Sequence, residues 1–218
     1  MKNYCLFIST VLCSFNLQAL DVTGQWRAVL DVAPEFRIVL ALKITEDEQG
    51  NQIVMLSPNQ SSKEMIPEQF RLEGNQLSFE DSHLKASFSG TFNGDKLVGT
   101  FTQHRPLEVS FTRLSEQDIQ RLEHERQWFG DLQLSKNSTL PLVLNIAVVA
   151  AGYHVTLDSP KQQSYGIAVN KFTLSDTRLS FASSMINANY SATWVENQWQ
   201  GTFVQGMAMP LNFAQKTD

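Results

Sequence analysis

Side chains able to do chemistry are few in this sequence, and they are scattered. The four histidines are His83, His104, His124 and His154, and no two stand within four residues of each other. A helical zinc pair is therefore not suggested. Ser82-His83-Leu84-Lys85 has the Ser-x-x-Lys spacing of a serine nucleophile beside a lysine base, yet it falls in a turn ahead of a strand rather than on a helix. No Gly-x-Ser-x-Gly elbow occurs, and Glu35, Glu46, Asp47 and Glu48 read as solvated loop acids. With nucleophile, base and oxyanion donor all unfilled, the expectation is no catalysis, no bound metal and no cofactor. What remains are hydroxyls, amides and one carboxylate that could bind through hydrogen bonds: Gln103, Asp158, Ser159, Gln162 and Gln205.

Gln103 and Gln205 each end the same pentad. Gly99-Thr100-Phe101-Thr102-Gln103 recurs as Gly201-Thr202-Phe203-Val204-Gln205, an offset of 102 residues. At that same offset of 102, Gln25-Trp26 falls on Gln127-Trp128 and Leu77-Ser78-Phe79 on Leu179-Ser180-Phe181. Ser57-Pro58-x-Gln60 likewise falls on Ser159-Pro160-x-Gln162. A domain-sized period of this kind marks a duplicated domain. Apolar residues alternate along both copies, as in Ala86, Phe88, Gly90 and Phe92 against Ala188, Tyr190, Ala192 and Trp194. Alternation over that length predicts strands with one buried face. Turn residues such as Gly50-Asn51, Gly74-Asn75 and Asn93-Gly94 break the runs into about seven or eight strands per copy. The expected fold is all-β: two tandem small antiparallel meander barrels or rolls joined by one short helix. The helix is placed at Ser115–Arg126, where Ser115 can cap and alternation stops.

Strict alternation points Gln103 and Gln205 to the core face, where an amide must be bonded. Two readings follow: a plug at the end of each strand, or an amide that faces a ligand. Serine before proline starts a turn, so the Ser-Pro-x-Gln loops read either as specific turns or, in the second copy, as a polar interaction rim of Asp158, Ser159 and Gln162. Asp158 aligns with Leu56 and Gly166 with Glu64, which makes the second copy the better binding candidate. Small residues at Gly90, Gly99, Ala192 and Gly201 predict close backbone approach. The inward apolar side chains are numerous enough to fill so short a barrel, so no large cavity is expected.

The N-terminus has Lys2, a mostly apolar run from Tyr4 to Phe15 and the small residue Ala19 before polar Asp21, the order of a secretory signal peptide. Cys5 and Cys13 lie inside it, so the mature chain has neither disulfide nor thiol chemistry. Removing it takes away Lys2 and moves the formal charge from −5 to −6. A mildly acidic chain without a basic run is a poor partner for nucleic acid. The expected organisation is signal peptide 1–19, first β repeat 20–114, helical linker 115–126 and second β repeat 127–218, with a periplasmic or secreted location and no integral membrane span.

One further pattern runs through the second copy: Trp128, Gly130, Leu132, Leu142-Val143-Leu144, Asp158-Ser159-Pro160-x-Gln162, Gly166-Ile167, Val169, Gly201-Thr202, Gln205-Gly206 and Pro210-Leu211. The first copy keeps Gly24-x-Trp26, Leu30, Ser57-Pro58-x-Gln60, Gly99-Thr100, Gln103 and Pro106-Leu107 but lacks the aspartate and the Gly-Ile step. The order resembles a bacterial β-rich domain that precedes the catalytic domain of some secreted α/β-hydrolases and related serine hydrolases. That resemblance implies a non-catalytic accessory module, here in tandem and without a hydrolase domain. Two functions are expected on this basis: an exported binding or accessory protein whose partner is a protein or small ligand, or a carrier of a small hydrophobic ligand in the barrel interior. N-terminal sequencing of protein from the cell envelope should begin at or near Leu20; an intact Met1 on folded protein contradicts export.

Overall fold

A computed structural model describes residues 21–34 and 36–215; the predicted signal peptide, 1–19, lies outside the described residues. The first copy forms β1 (Gly24–Ala33), β2 (Phe36–Asp47), β3 (Gly50–Ser57), β4 (Ser61–Met65), β5 (Gln69–Glu73), β6 (Gln76–Asp81), β7 (Ala86–Asn93), β8 (Lys96–Thr102) and β9 (Pro106–Arg113). After a short helix the second copy forms β10 (Arg126–Ser135), β11 (Ser138–Val149), β12 (Gly152–Ser159), β13 (Ser164–Ala168), β14 (Lys171–Leu174), β15 (Arg178–Ser183), β16 (Ala188–Val195), β17 (Gln198–Gln205) and β18 (Met207–Ala214). Each copy is one antiparallel sheet of nine strands, ordered β4-β3-β2-β1-β9-β8-β7-β6-β5 in the first and correspondingly in the second.

First and last strands of each copy pair with each other, so the sheet's two edges are strands from the middle of the copy, β4 and β5. Each sheet curls over its own apolar face into an open roll, where full barrel closure was the alternative expected. The count of nine exceeds the expected seven or eight partly because β4, Ser-Ser-Lys-Glu-Met, carries no apolar alternation. It is an exposed edge strand, and polar side chains there discourage pairing with other chains. In the second roll the open seam is stitched at a corner. The Val169 N–H donates to the Val155 carbonyl at 3.2 Å and the Asn170 N–H to the Ala182 carbonyl at 2.8 Å.

Inside the rolls the duplicated aromatic residues occupy equivalent places. Phe88 meets Phe111 edge-on at 5.5 Å, and Tyr190 meets Phe213 at 5.3 Å in the same way. The tyrosine hydroxyl, absent from Phe88, donates to the Leu211 carbonyl at 3.1 Å. The bend that brings these rings together depends on small residues. β7 and β8 pair Gly90 with Gly99, and β16 and β17 pair Ala192 with Gly201. A Cβ on Gly99 would sit 2.2 Å from the Ser89 oxygen and 2.5 Å from the Gly90 Cα. One on Gly201 would sit 2.6 Å from the Ala192 Cβ.

The linker is α1 (Glu116–Arg121) followed by a 3₁₀ turn at Leu122–His124, shorter than the predicted Ser115–Arg126. Ser115 caps it as expected, accepting from the Asp118 N–H. Glu125 leaves the helix because its carboxylate is claimed elsewhere: Arg27 Nη2 reaches it at 3.2 Å and the Val148 N–H donates to it at 2.8 Å. Asp118 accepts from the Ala151 N–H at 3.1 Å and pairs with Arg121. Burial alone would raise the Asp118 carboxyl's pKa, but the Ser115 hydroxyl, the Ala151 and Ser115 N–H groups and Arg121 together hold it below its ordinary value. The linker thus binds the end of β11 and the turn beyond it, and it is a strap rather than a spacer.

The rolls also touch directly. β13 lies against β2, and the Phe36 ring stands 2.6 Å from where a Cβ on Gly166 would be. Gly166 has φ +69°, so both its backbone and the ring beside it call for glycine. Val39 and Ala41 point away from the first core yet are fully buried, as is Asn145 in the second roll. Asn145 donates to Thr156 Oγ1 at 3.2 Å and Asp158 Oδ2 at 2.9 Å, and accepts from Gln127 Nε2 at 2.7 Å.

Gly99→Ala should cost about 1–3 kcal/mol, the usual size of an overpacking penalty, and lower the melting temperature by several degrees. An unchanged melting temperature would mean that the Gly90–Gly99 approach does not constrain the roll.

Candidate functional site

The rim residues expected from the sequence divide between two places. Ser159, Gln162 and Gln205 stand together at one end of the second roll, around a recess of about 370 Å³. Its floor is made by Leu132, Leu142, Leu157, Ile167 and Phe203. Met209 is buried with these, Leu134, Leu140 and Ile186 are less buried, and Gln162, Ser164 and Gln205 complete the lining. None of the lining side chains carries a charge. The recess opens at the end of the roll and is not an enclosed cavity in its interior. The aromatic rings pack the middle of the roll, while at this end the lining side chains leave space between them.

Asp158 is not part of that rim. Neighbouring strand residues point to opposite faces, and Asp158 faces the other way from Ser159. Its carboxylate accepts from the Gly166 N–H at 2.7 Å and from Asn145 at 2.9 Å. Asp158 and Gly166, two of the places where the second copy departs from the first, are therefore bonded to each other at the joint with the first roll.

Gln103 and Gln205 bond as expected but are not buried. Each amide donates to a backbone carbonyl in a turn of its own roll, Gln103 to Leu84 at 3.1 Å and Gln205 to Ile186 at 2.8 Å. Leu84 and Ile186 are themselves equivalent positions. Both glutamines are exposed because they lie where their strands emerge from the open end of the roll, so the plug reading holds for the bond and fails for burial. The Ser-Pro-x-Gln segments are self-closed turns in both copies, with Ser57 donating to Gln60 Oε1 and Ser159 to Gln162 Oε1, each at 2.8 Å.

The remaining polar candidates are occupied locally. The Ser82 hydroxyl donates to Glu68 Oε1 at 2.8 Å, as the Ser184 hydroxyl donates to Asn170 at 2.6 Å, so Ser-x-x-Lys is half of a duplicated turn lock. His83 Nδ1 lies 2.8 Å from the same Glu68 carboxylate in open solvent. His154 is half-buried with its Nε2 unpartnered, and burial and then nearby Arg37 lower its pKa. Among the described residues no three His, Cys, Asp or Glu side chains are grouped to hold a metal ion, and no helix is long and apolar enough to cross a membrane. Two more open clefts of about 500 Å³ flank the joint, one by Arg37 and His154, the other by Glu125 and Arg126. Their charged groups already have partners, Asp31 for Arg37 and Arg27 for Glu125. The mouth of the second roll, whose apolar walls are uncovered, is the better site.

No family model matches the chain, and no curated protein is similar to it. Among solved structures, a protein of unknown function from the DUF3598 family of Nostoc punctiforme aligns over 89% of this chain and 95% of its own, with 8% identity and a TM-score of 0.26. A likeness at that level says nothing about function.

Sequence reasoning found the polar half of the mouth through the repeated Gln and Ser-Pro-x-Gln motifs. It missed the apolar half, whose one outward signal is Leu134 at 46% exposure. Replacing Gln205 by Leu should cost only about 0.5–1.5 kcal/mol, because the Ile186 carbonyl it leaves can turn to water. The melting temperature should fall by no more than a few degrees; a fall beyond about ten degrees contradicts the exposed placement.

Proposed function

We propose that the chain is an exported, non-catalytic binding protein whose second roll takes a small, uncharged, largely apolar molecule at its mouth. The observation that carries this reading is the recess of about 370 Å³ lined by apolar side chains, three hydroxyl or amide groups besides Gln205, and no charge. That volume falls within the range of about 300–1,000 Å³ typical of small-molecule sites, which combine apolar walls with a few polar groups that fix orientation. An ionised headgroup would lose water there without gaining an opposite charge, a cost that disfavours acids and amines. Ser159, Gln162, Ser164 and Gln205 offer donors and acceptors to a neutral polar end.

A non-catalytic role draws support from Ser82 and His83, which both bond the Glu68 carboxylate, so that the serine hydroxyl is spent on the acid and not on the histidine. The acidic balance argues against a nucleic-acid partner. The accessory-module resemblance agrees with a part that binds rather than transforms, and export rests on the N-terminal segment alone.

Displacement of an uncharged fluorescent dye, N-phenylnaphthylamine, tests the reading. Decanol should displace the dye at a concentration at least about tenfold below that required for decanoate at neutral pH, a difference of about 1.4 kcal/mol. Leu134→Glu, a change at an exposed rim residue, should weaken dye binding by a similar factor. Equal potency of the two ligands, or no effect of Leu134→Glu, would exclude the mouth as a neutral apolar site.

A further inference from the structure

We infer that Arg105 decides which of the two rolls can bind, an inference that rests on the mouth of the second roll being a ligand site. The two mouths are built from the same residues at the offset of 102: Leu30 and Leu132, Leu40 and Leu142, Ser57 and Ser159, Phe101 and Phe203, Gln103 and Gln205. The cover differs, and so do two residues near it, Val32 and Phe36 in the first copy against Leu134 and Ser138 in the second. Position 105 is arginine where its counterpart 207 is methionine.

In the first roll the Arg105 guanidinium donates to the Val32 carbonyl at 2.9 Å. Arg105 sits in the turn between β8 and β9 and Val32 near the end of β1, a strand that neighbours β9 and is laddered to it only at Trp26 and Arg27, so the side chain ties the two strands together at the rim, beyond the end of their ladder. The Val32 and Phe36 side chains pack on the first core. The second roll has Leu134 at the Val32 position and Ser138 at the Phe36 position. Met207 has no donor to offer a backbone carbonyl and is 64% exposed, while Leu134 is 46% exposed and stands off the core. Gln205 and Met207 are directly paired across β17 and β18, so they share a face, and Met207 stands on the same side of the sheet as the mouth. Duplication has therefore left one mouth strapped by a cation and the other flanked by an apolar side chain.

Arg105 touches no reacting group. It is a residue that fixes specificity between two related sites, by covering one of them with a single exposed hydrogen bond. Because that bond is exposed, replacing the arginine should leave the fold intact.

The test is the stoichiometry of N-phenylnaphthylamine binding to the full mature chain, with circular dichroism to verify the fold. Wild-type protein should bind about one equivalent, R105M about two, with the second site within about tenfold of the first. The reciprocal variant M207R should weaken the wild-type site by at least about tenfold, since its guanidinium can reach the Leu134 carbonyl as Arg105 reaches Val32. If wild type binds one equivalent and a folded R105M still binds one, this inference fails while the mouth reading stands. Unweakened binding by M207R likewise overturns it. If wild type binds none, the mouth reading fails and this inference falls with it.

Discussion

Backbone meeting backbone with almost nothing between is the contact on which each roll depends. At Gly90 and Gly99, and again at Ala192 and Gly201, paired strands carry no side chain large enough to hold the sheet flat. Phe88 and Tyr190 lay their rings over these positions, within 3 Å of where a Cβ on Gly90 or Gly201 would stand. A nine-stranded sheet with one apolar face must either bend over that face or find another layer to cover it. Here it bends, and the aromatic rings of β7, β9, β16 and β18 then fill the space enclosed. Glycine in a strand is otherwise a weakness, and its repetition at the same offset is understandable only as geometry.

The second constraint is the joint. Two rolls with separate cores would be independent if only a chain linked them, but here a linker carboxylate, Glu125, is bonded to both. It holds Arg27 of the first roll and the Val148 N–H of the second. Around it the second copy has replaced Lys43, Val54, Leu56 and Glu64 of the first by Asn145, Thr156, Asp158 and Gly166. These residues form a bonded set facing inward to the joint, whereas Lys43 faces water. Much of the divergence between the copies thus serves docking, and less of it serves the mouth.

How much of this was legible follows from what a period of two can say. Alternation tells which face of a strand is buried, so the inner sets Ile38 to Ile44 and Leu140 to Ile146 were readable directly. The same holds for the Ser115 cap and for the glycine pairs. Alternation does not tell which strands pair, so the union of β1 with β9 and the open edge at β4 were not readable. Nor does it tell where along a strand the core ends. Gln103 and Gln205 keep the inward phase but stand past the last apolar layer, and so are wet. Asp158 was placed at the rim with Ser159 because the two are adjacent, although adjacency in a strand means opposite faces. The apolar mouth was invisible because its residues are the same leucines and isoleucines that elsewhere make a packed core.

The proposed function rests on two related mouths that differ in cover, Arg105 against Met207, and in filling, Phe36 against Ser138. The most direct measurement is a methyl-resolved NMR titration of the full mature chain with decanol. Saturable shifts are predicted for the methyl groups of Leu132, Leu142, Ile167 and Ile186, with their counterparts Leu30, Leu40, Met65 and Leu84 unmoved. Equal shifts in both sets, or shifts confined to the clefts at the joint, would contradict it.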